Sequence, residues 1–127
     1  MAWIQGSTEK TVWEKTDDEI VLIHTETSAY YGLNSTGSWL WECMVQQPYK
    51  EDELVDLVVH HLHQEPEHGR LVVSAFIATL READLIVEQD HAPDRDASAE
   101  VPPAPTPYEV PTMVKFGDLE TLFLSGE

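Results

Sequence analysis

The chain is short of positive charge: seven Lys and Arg stand against 24 Asp and Glu, a formal net charge of −17 over 127 residues. A surface of that sign repels a phosphate backbone and an anionic bilayer alike, which excludes nucleic acid and membrane as expected partners. Cysteine is almost absent. The single Cys43 rules out an internal disulfide, fits a reducing cytosol, and is expected as a small buried hydrophobe rather than a reactive thiol. No run of 18 uncharged apolar residues occurs, and the N-terminus MAWIQGSTEK lacks the basic and apolar regions of a signal peptide, so a cytoplasmic protein is expected. Also missing are a phosphate-cradling glycine loop, a Ser-His-Asp arrangement and a carboxylate pair; no catalysis and no cofactor are expected. With 42% hydrophobic residues, the length suits one small domain with a workable core and leaves no room for a second.

What is present begins with three β-rich stretches, Val12 to Thr16, Ile20 to Thr25 and Ala29 to Leu33, separated by the turns Thr16-Asp17-Asp18-Glu19 and Thr25-Glu26-Thr27-Ser28. Two successive hairpins predict a three-stranded antiparallel meander. Period-two alternation places Ala29, Tyr31 and Leu33 on one face and Tyr30 with Gly32 on the other, so one face can be buried while the strand stays at a sheet edge. Asn34 and Ser35 are good N-caps for a first helix, about Ser35 to Val45, with Trp39, Leu40, Cys43 and Met44 at helical spacing. Pro48 ends that region, and acids open a second helix from Glu51 to His61. A third, about Glu67 to Ala83, is expected to bury Val72, Phe76, Leu80 and Ala83, and Leu85 to Val87 closes an α+β domain. Trp39 and Trp41 could form an aromatic site, but at least one belongs to the core; Trp3 and Trp13, near the N-terminus, stay unassigned.

From Glu88 to Pro107 the composition shifts to Asp, Ala, Pro and Glu, with five prolines from Pro93 to Pro107, which reads as a flexible linker with some polyproline stiffness (residues 88–106). Order returns in residues 107–127. Tyr108 to Phe116 is extended and β-prone, Gly117 is expected to break it, and Leu119, Leu122 and Phe123 recur like one face of a short helix. On the third helix Arg70, Ser74, Ile77 and Arg81 fall on one line away from the expected core face, a solvated side unless the acidic Asp118 and Glu120 of the tail meet it. An extended peptide binds well along a vacant sheet edge, through main-chain hydrogen bonds, and a linker of about twenty residues spans roughly 25 Å as a coil, enough for the tail to reach its own domain. His60, His61, His63 and His68 invite a metal hypothesis, but nothing completes the ligand set and histidines near a helix C-terminus are favoured by its dipole; no metal is expected.

The stretch VLIHTETSAYYGLNSTGSWLWECM resembles the strand-strand-helix signature of PqqD-like proteins, in which a tyrosine-rich strand runs into Leu33-Asn34 and a helix with an apolar pair, here Leu40-Trp41. EPEHGRLVVSAFIATLREADLIV is similar to that family's third helix and closing Leu-Ile, with Asp84 where the family usually has glycine. The resemblance covers about residues 10 to 87. It implies a winged helix-turn-helix-like fold that recognises the leader peptides of ribosomally made, post-translationally modified peptides (RiPPs), taking the leader as a fourth strand beside the third and against the third helix. On the domain, Ala29, Tyr30, Tyr31, Gly32, Leu33, Arg70, Val73, Ser74, Ile77 and Arg81 would bind it.

Tyr108-Glu-Val-Pro111-Thr-Met113 followed by Gly117 is similar to the lasso-peptide leader pattern Tyr-x-x-Pro-x-Leu-x-x-x-Gly, with Met113 in the leucine position; Phe116 and Leu119 complete the expected leader contacts. Joining two functions usually encoded separately in that family points to a fusion, natural or engineered. The resemblance implies delivery of the leader, bound in cis or swapped from a neighbouring chain, to a leader peptidase and a lasso cyclase. Three rivals remain: a PqqD-like chaperone for a radical SAM enzyme, a winged-helix transcription regulator, and a small metal-dependent enzyme using His60 to His68.

Overall fold

The computed structural model describes residues 2–91 and 100–118. Its elements in chain order are β1 (Trp3–Gly6), β2 (Thr11–Thr16), β3 (Glu19–His24), β4 (Ala29–Leu33), α1 (Ser35–Gln46), β5 (Tyr49–Lys50), α2 (Glu51–His61), α3 (Pro66–Glu82), β6 (Ile86–Gln89) and β7 (Met113–Asp118). The architecture is α+β, with two antiparallel sheets ordered β5-β1-β6 and β2-β3-β4-β7. The predicted meander is β2-β3-β4, and its hairpin turns are closed by Asp17 and Ser28 in the left-handed region, at φ 54° and 62°. The small second sheet was not expected. Its N-terminal strand pairs Trp3 with Gln89 and Gly6 with Ile86, while Trp3 also faces Lys50 of β5, so its partners come from distant parts of the chain.

Each helix starts where its local chemistry says it should. Asn34 caps α1, its Oδ1 accepting from Gly37 N–H at 2.9 Å. In α2 the Glu53 carboxylate accepts from the Lys50 N–H at 3.0 Å, and Glu51 and Asp52 sit in the first turn where the helix dipole favours them. Pro66 opens α3 at a position whose amide has no helical partner anyway. The buried faces of all three meet Ile20, Leu22, Tyr31 and Leu33 of the meander in one core, which contains both Trp39 and Trp41 and the Cys43 thiol. Burial, and next the Glu42 charge, push that thiol up to about 12, so it stays protonated and inert at neutral pH. Ser38 ties α1 to the meander: its Oγ accepts from Ile20 N–H at 2.8 Å and donates to the Leu33 carbonyl at 3.2 Å.

After α3, Asp84 adopts φ 59°, the left-handed geometry that commonly ends a helix and that glycine adopts without strain. Its carboxylate earns this place by reaching His24 Nε2 and Lys10 Nζ, both at 3.2 Å. His24 Nδ1 accepts the Glu26 and Thr27 N–H groups at 3.2 and 3.3 Å, which places the ring proton on Nε2, facing Asp84. One residue thus links the helix end, the β3–β4 turn and the start of β2. The His24 bond first and the Lys10 bond second hold the Asp84 carboxyl below its ordinary 3.8. A depressed acid contributes stability that is complete above its unfolded value and is lost as pH falls through the lower folded one. Asp84→Gly is therefore expected to relax the backbone but to flatten the acid limb of the stability curve below about pH 4, measured by denaturant unfolding across pH. An unchanged acid limb would show that the contact carries nothing.

Candidate functional site

The C-terminal segment docks on the rim formed by β4, the start of α1 and one side of α3. β7 pairs antiparallel with β4, Leu33 opposite Met113, Gly32 opposite Val114, Tyr31 opposite Lys115 and Tyr30 opposite Gly117. The strand does not stop at Gly117, contrary to the sequence expectation, but runs on to Asp118. A bulge between Tyr30 and Tyr31 leaves Phe116 with no residue opposite it. Gly117 takes φ 144°, a conformation open to glycine and strained for any other residue, so the bulge explains why a glycine stands there. Gly117→Ala is expected to weaken docking of the strand by about 1–3 kcal/mol, the cost of forcing a side chain into such a conformation, read from amide exchange of β4.

Upstream of the strand, Asn34 becomes the hinge of the contact. Its Nδ2–H donates to the Val110 carbonyl at 2.7 Å, its Oδ1 accepts from Thr112 N–H at 3.1 Å, and its own N–H donates to the Thr112 carbonyl at 3.3 Å. The same Oδ1 caps α1, so one amide side chain holds both a helix start and the incoming backbone. Thr36 Oγ1 accepts from Glu109 N–H at 3.3 Å, and Ser35 Oγ donates to the Glu109 carboxylate at 3.1 Å. Pro111 is buried, and with Thr112 and Met113 it lines one side of a small depression whose other side is Ala75, Phe76 and Thr79 of α3. Half-buried, Tyr108 packs on the edge of the core with its ring 5.5 Å from that of His68, and its hydroxyl lies 2.6 Å from His68 Nε2. Desolvation raises the phenol above its ordinary 10.0, so the hydroxyl keeps its proton at neutral pH.

The expected site residues divide. On β4, Ala29, Tyr31 and Leu33 point into the core and shape the rim, while Tyr30 and Gly32 face outward, as the alternation predicts. Met113 packs half-buried against the core. Phe116, expected along the groove, instead lies on the outer sheet face: its ring stands 5.8 Å from Tyr30 and so close to Gly32 that a Cβ there would meet it at 2.5 Å. A period of two forces this, because Met113 turns inward and the even-numbered Val114 and Phe116 turn out. On α3 the expected line is displaced. Val73 and Ile77 are buried core residues, Arg70 and Ser74 are exposed, and Arg81 is engaged by Glu88 through a 2.7 Å bond from its Nε. Ala75, Phe76 and Thr79 take the place beside the tail. Leu119 and Glu120, and with Leu122 and Phe123 the expected helical face, lie outside the described residues.

Four residues hydrogen-bond the segment without having been assigned to it: Asn34, Ser35, Thr36 and His68. Asn34 was visible only as a cap, since nothing local shows that a cap acceptor takes a second bond from a segment 78 residues away. The histidines do not gather; His61 tilts against Trp39 at 5.8 Å while His68 turns to Tyr108. Among the described residues no group of three or more His, Cys, Asp or Glu could hold a metal ion, and no helix is long and apolar enough to cross a membrane.

Against known proteins, the family model described as Coenzyme PQQ synthesis protein D (PqqD) matches residues 19–86, from β3 through the first residue of β6. A solved structure, TbiB1 in complex with the TbiA(beta) leader peptide, is similar at 26% identity and a TM-score of 0.59, with 65% of this chain and 93% of that chain covered. No curated protein matches. With the family match spanning more than half of the chain and the helix end, cap and sheet edge arranged around it, the chain belongs to the PqqD family, as a PqqD-like RiPP recognition element.

Proposed function

We propose that the chain binds the leader peptide of a ribosomally made precursor by strand addition along β4, and that its own residues 107–127 are such a leader, of the lasso type. The observation that carries this reading is the β4–β7 pairing, with Tyr108 and Pro111 beside it, since these two residues and Gly117 match three of the four fixed positions of the leader pattern and Met113 stands at the fourth. The similar structure of TbiB1 with a leader peptide supports the same reading. Main-chain bonds to a sheet edge supply affinity without demanding a particular sequence, and the Tyr108 and Pro111 seats supply selection. The domain, in a winged helix-turn-helix-like arrangement, performs no chemistry itself. It presents the precursor, in cis or swapped between neighbouring chains, to a leader peptidase and an ATP-dependent cyclase in the cytoplasm.

The family description names coenzyme PQQ synthesis, which suits a second reading in which the chain is a PqqD-like peptide chaperone for a radical SAM enzyme. Both use the same rim and differ in the peptide they accept. Binding of a labelled peptide of residues 107–127 to a chain ending at His91, against the same peptide with Tyr108 and Pro111 both changed to Ala, tests the proposal. Saturable binding abolished by the double change is expected. No binding at high micromolar peptide, or equal binding of both peptides, contradicts the leader reading.

A further inference from the structure

Residues 101–106, Val-Pro-Pro-Ala-Pro-Thr, belong to the stretch whose composition reads as a linker, yet they are laid down on α1 in an ordered pattern. Val101 and Pro102 are half-buried and Pro103 exposed; Ala104 and Pro105 are half-buried and Thr106 exposed. A burial repeat of three is the signature of a polyproline II helix, which has three residues per turn, with two of its edges against a surface and one in solvent. Val101 and Ala104, one turn apart, are the residues that pack against the core. At the centre of the contact the Trp39 Nε1–H donates to the Pro102 carbonyl at 2.8 Å, and Trp39 as a residue is 3% exposed. A cleft of about 360 Å³ continues alongside, between Trp39, Glu42 and Lys15 on the domain and Pro103 to Thr106 on the segment.

A polyproline segment offers a partner little besides its ring faces and its carbonyls, because proline has no amide hydrogen and the helix makes no internal hydrogen bonds. The side chain that answers both is tryptophan, a flat apolar surface with one donor on its edge, and grooves that read such segments are lined in this way. We propose that Trp39 and the first two turns of α1 form a second peptide subsite, which takes a polyproline II segment of Pro-x-x-Pro type lying directly N-terminal to the Tyr-x-x-Pro motif. In this chain Pro102 and Pro105 supply that spacing. The inference deepens the leader-recognition reading and rests on it: the domain reads its peptide at two places, a stiff proline-rich arm on α1 and a strand on β4, with Tyr108 between them. Because a polyproline arm loses little conformational freedom on docking, it positions the following strand at low entropic cost.

The experiment follows hydrogen exchange of the Trp39 indole and of the β4 amides in the full chain, with the indole resonance assigned through Trp39→Phe. A Pro102→Ala/Pro105→Ala variant is compared with the solvent-facing control Glu100→Ala, outside the cleft. Exchange of the Trp39 N–H is expected to quicken about five- to tenfold in the double variant, the range that one net hydrogen bond supports, and to stay near wild type in the control. Equal exchange in all three proteins, with β4 still protected, overturns the subsite and leaves strand addition standing. Fast exchange along β4 in the wild type strikes the leader reading instead; a Trp39 N–H still slowed there supports the proline contact by itself, and an unslowed one overturns it. Since the variants lie on the segment, a loss of domain folding cannot mimic the expected result.

Discussion

Asn34→Ala is expected to damage two things at once, the start of α1 and the seat of the docked segment. Loss of the cap on Gly37 N–H costs about 1 kcal/mol of domain stability, which lowers the thermal midpoint by about 4–8 °C in a domain of this size. Loss of the bonds to Val110 and Thr112 removes two further contacts worth about 0.5–1.5 kcal/mol each, and these fall on docking rather than on the core. Asn34→Asp separates the two. A carboxylate still accepts from Gly37 and Thr112, but it has no hydrogen for the Val110 carbonyl and opposes it with like partial charge. The Asp variant should therefore melt close to wild type while its β4 amides exchange faster, whereas the Ala variant should lose on both measures. An Asn34→Ala protein with wild-type β4 protection would remove Asn34 from the site.

The second large effect is expected at Tyr108. Truncation to Ala gives up a half-buried aromatic ring, its edge contact with His68 and its hydroxyl bond, together about 2 kcal/mol or roughly a thirtyfold loss of peptide affinity. Tyr108→Phe keeps the ring and should cost only about 1 kcal/mol, the net worth of one hydrogen bond. Affinities of peptides of residues 107–127 carrying these changes give the order directly. If Phe cost as much as Ala, the hydroxyl bond to His68, not burial, would be the anchor.

These predictions also mark how far the sequence was readable. Elements made from neighbours along the chain were legible: the two hairpins, the acids that open α2, and the Asn34 cap each carry their signal within a few residues. β1 and β5 were not, because YK becomes a strand only by pairing with WIQG, and WIQG by pairing with YK and with β6, and that pairing is written nowhere locally. The tail could be recognised from Tyr108, Pro111 and Gly117, whose types are dictated by an aromatic seat, a buried ring and a backbone conformation that favours glycine. Periodicity alone did not fix the rotation of α3. It grouped Ile77 with Arg70 and Arg81, yet Ile77 is core, and the side beside the tail carries Ala75 and Thr79, small residues that leave room for Pro111. Small residues at a docking face have no hydropathy signature of their own. The Asp84 turn was legible as a departure from glycine, but its two partners, Lys10 and His24, lie 74 and 60 residues away.

One comparison reaches the centre of the account: hydrogen exchange of the Ala29 to Leu33 amides in the full chain and in a chain ending at His91. Strand addition predicts that the amides directed toward β7 are slowed only while residues 107–127 are attached, and that adding those residues back as a free peptide restores the protection. Identical exchange in both proteins would mean that the edge of β4 needs no partner, and the leader-binding reading would be wrong.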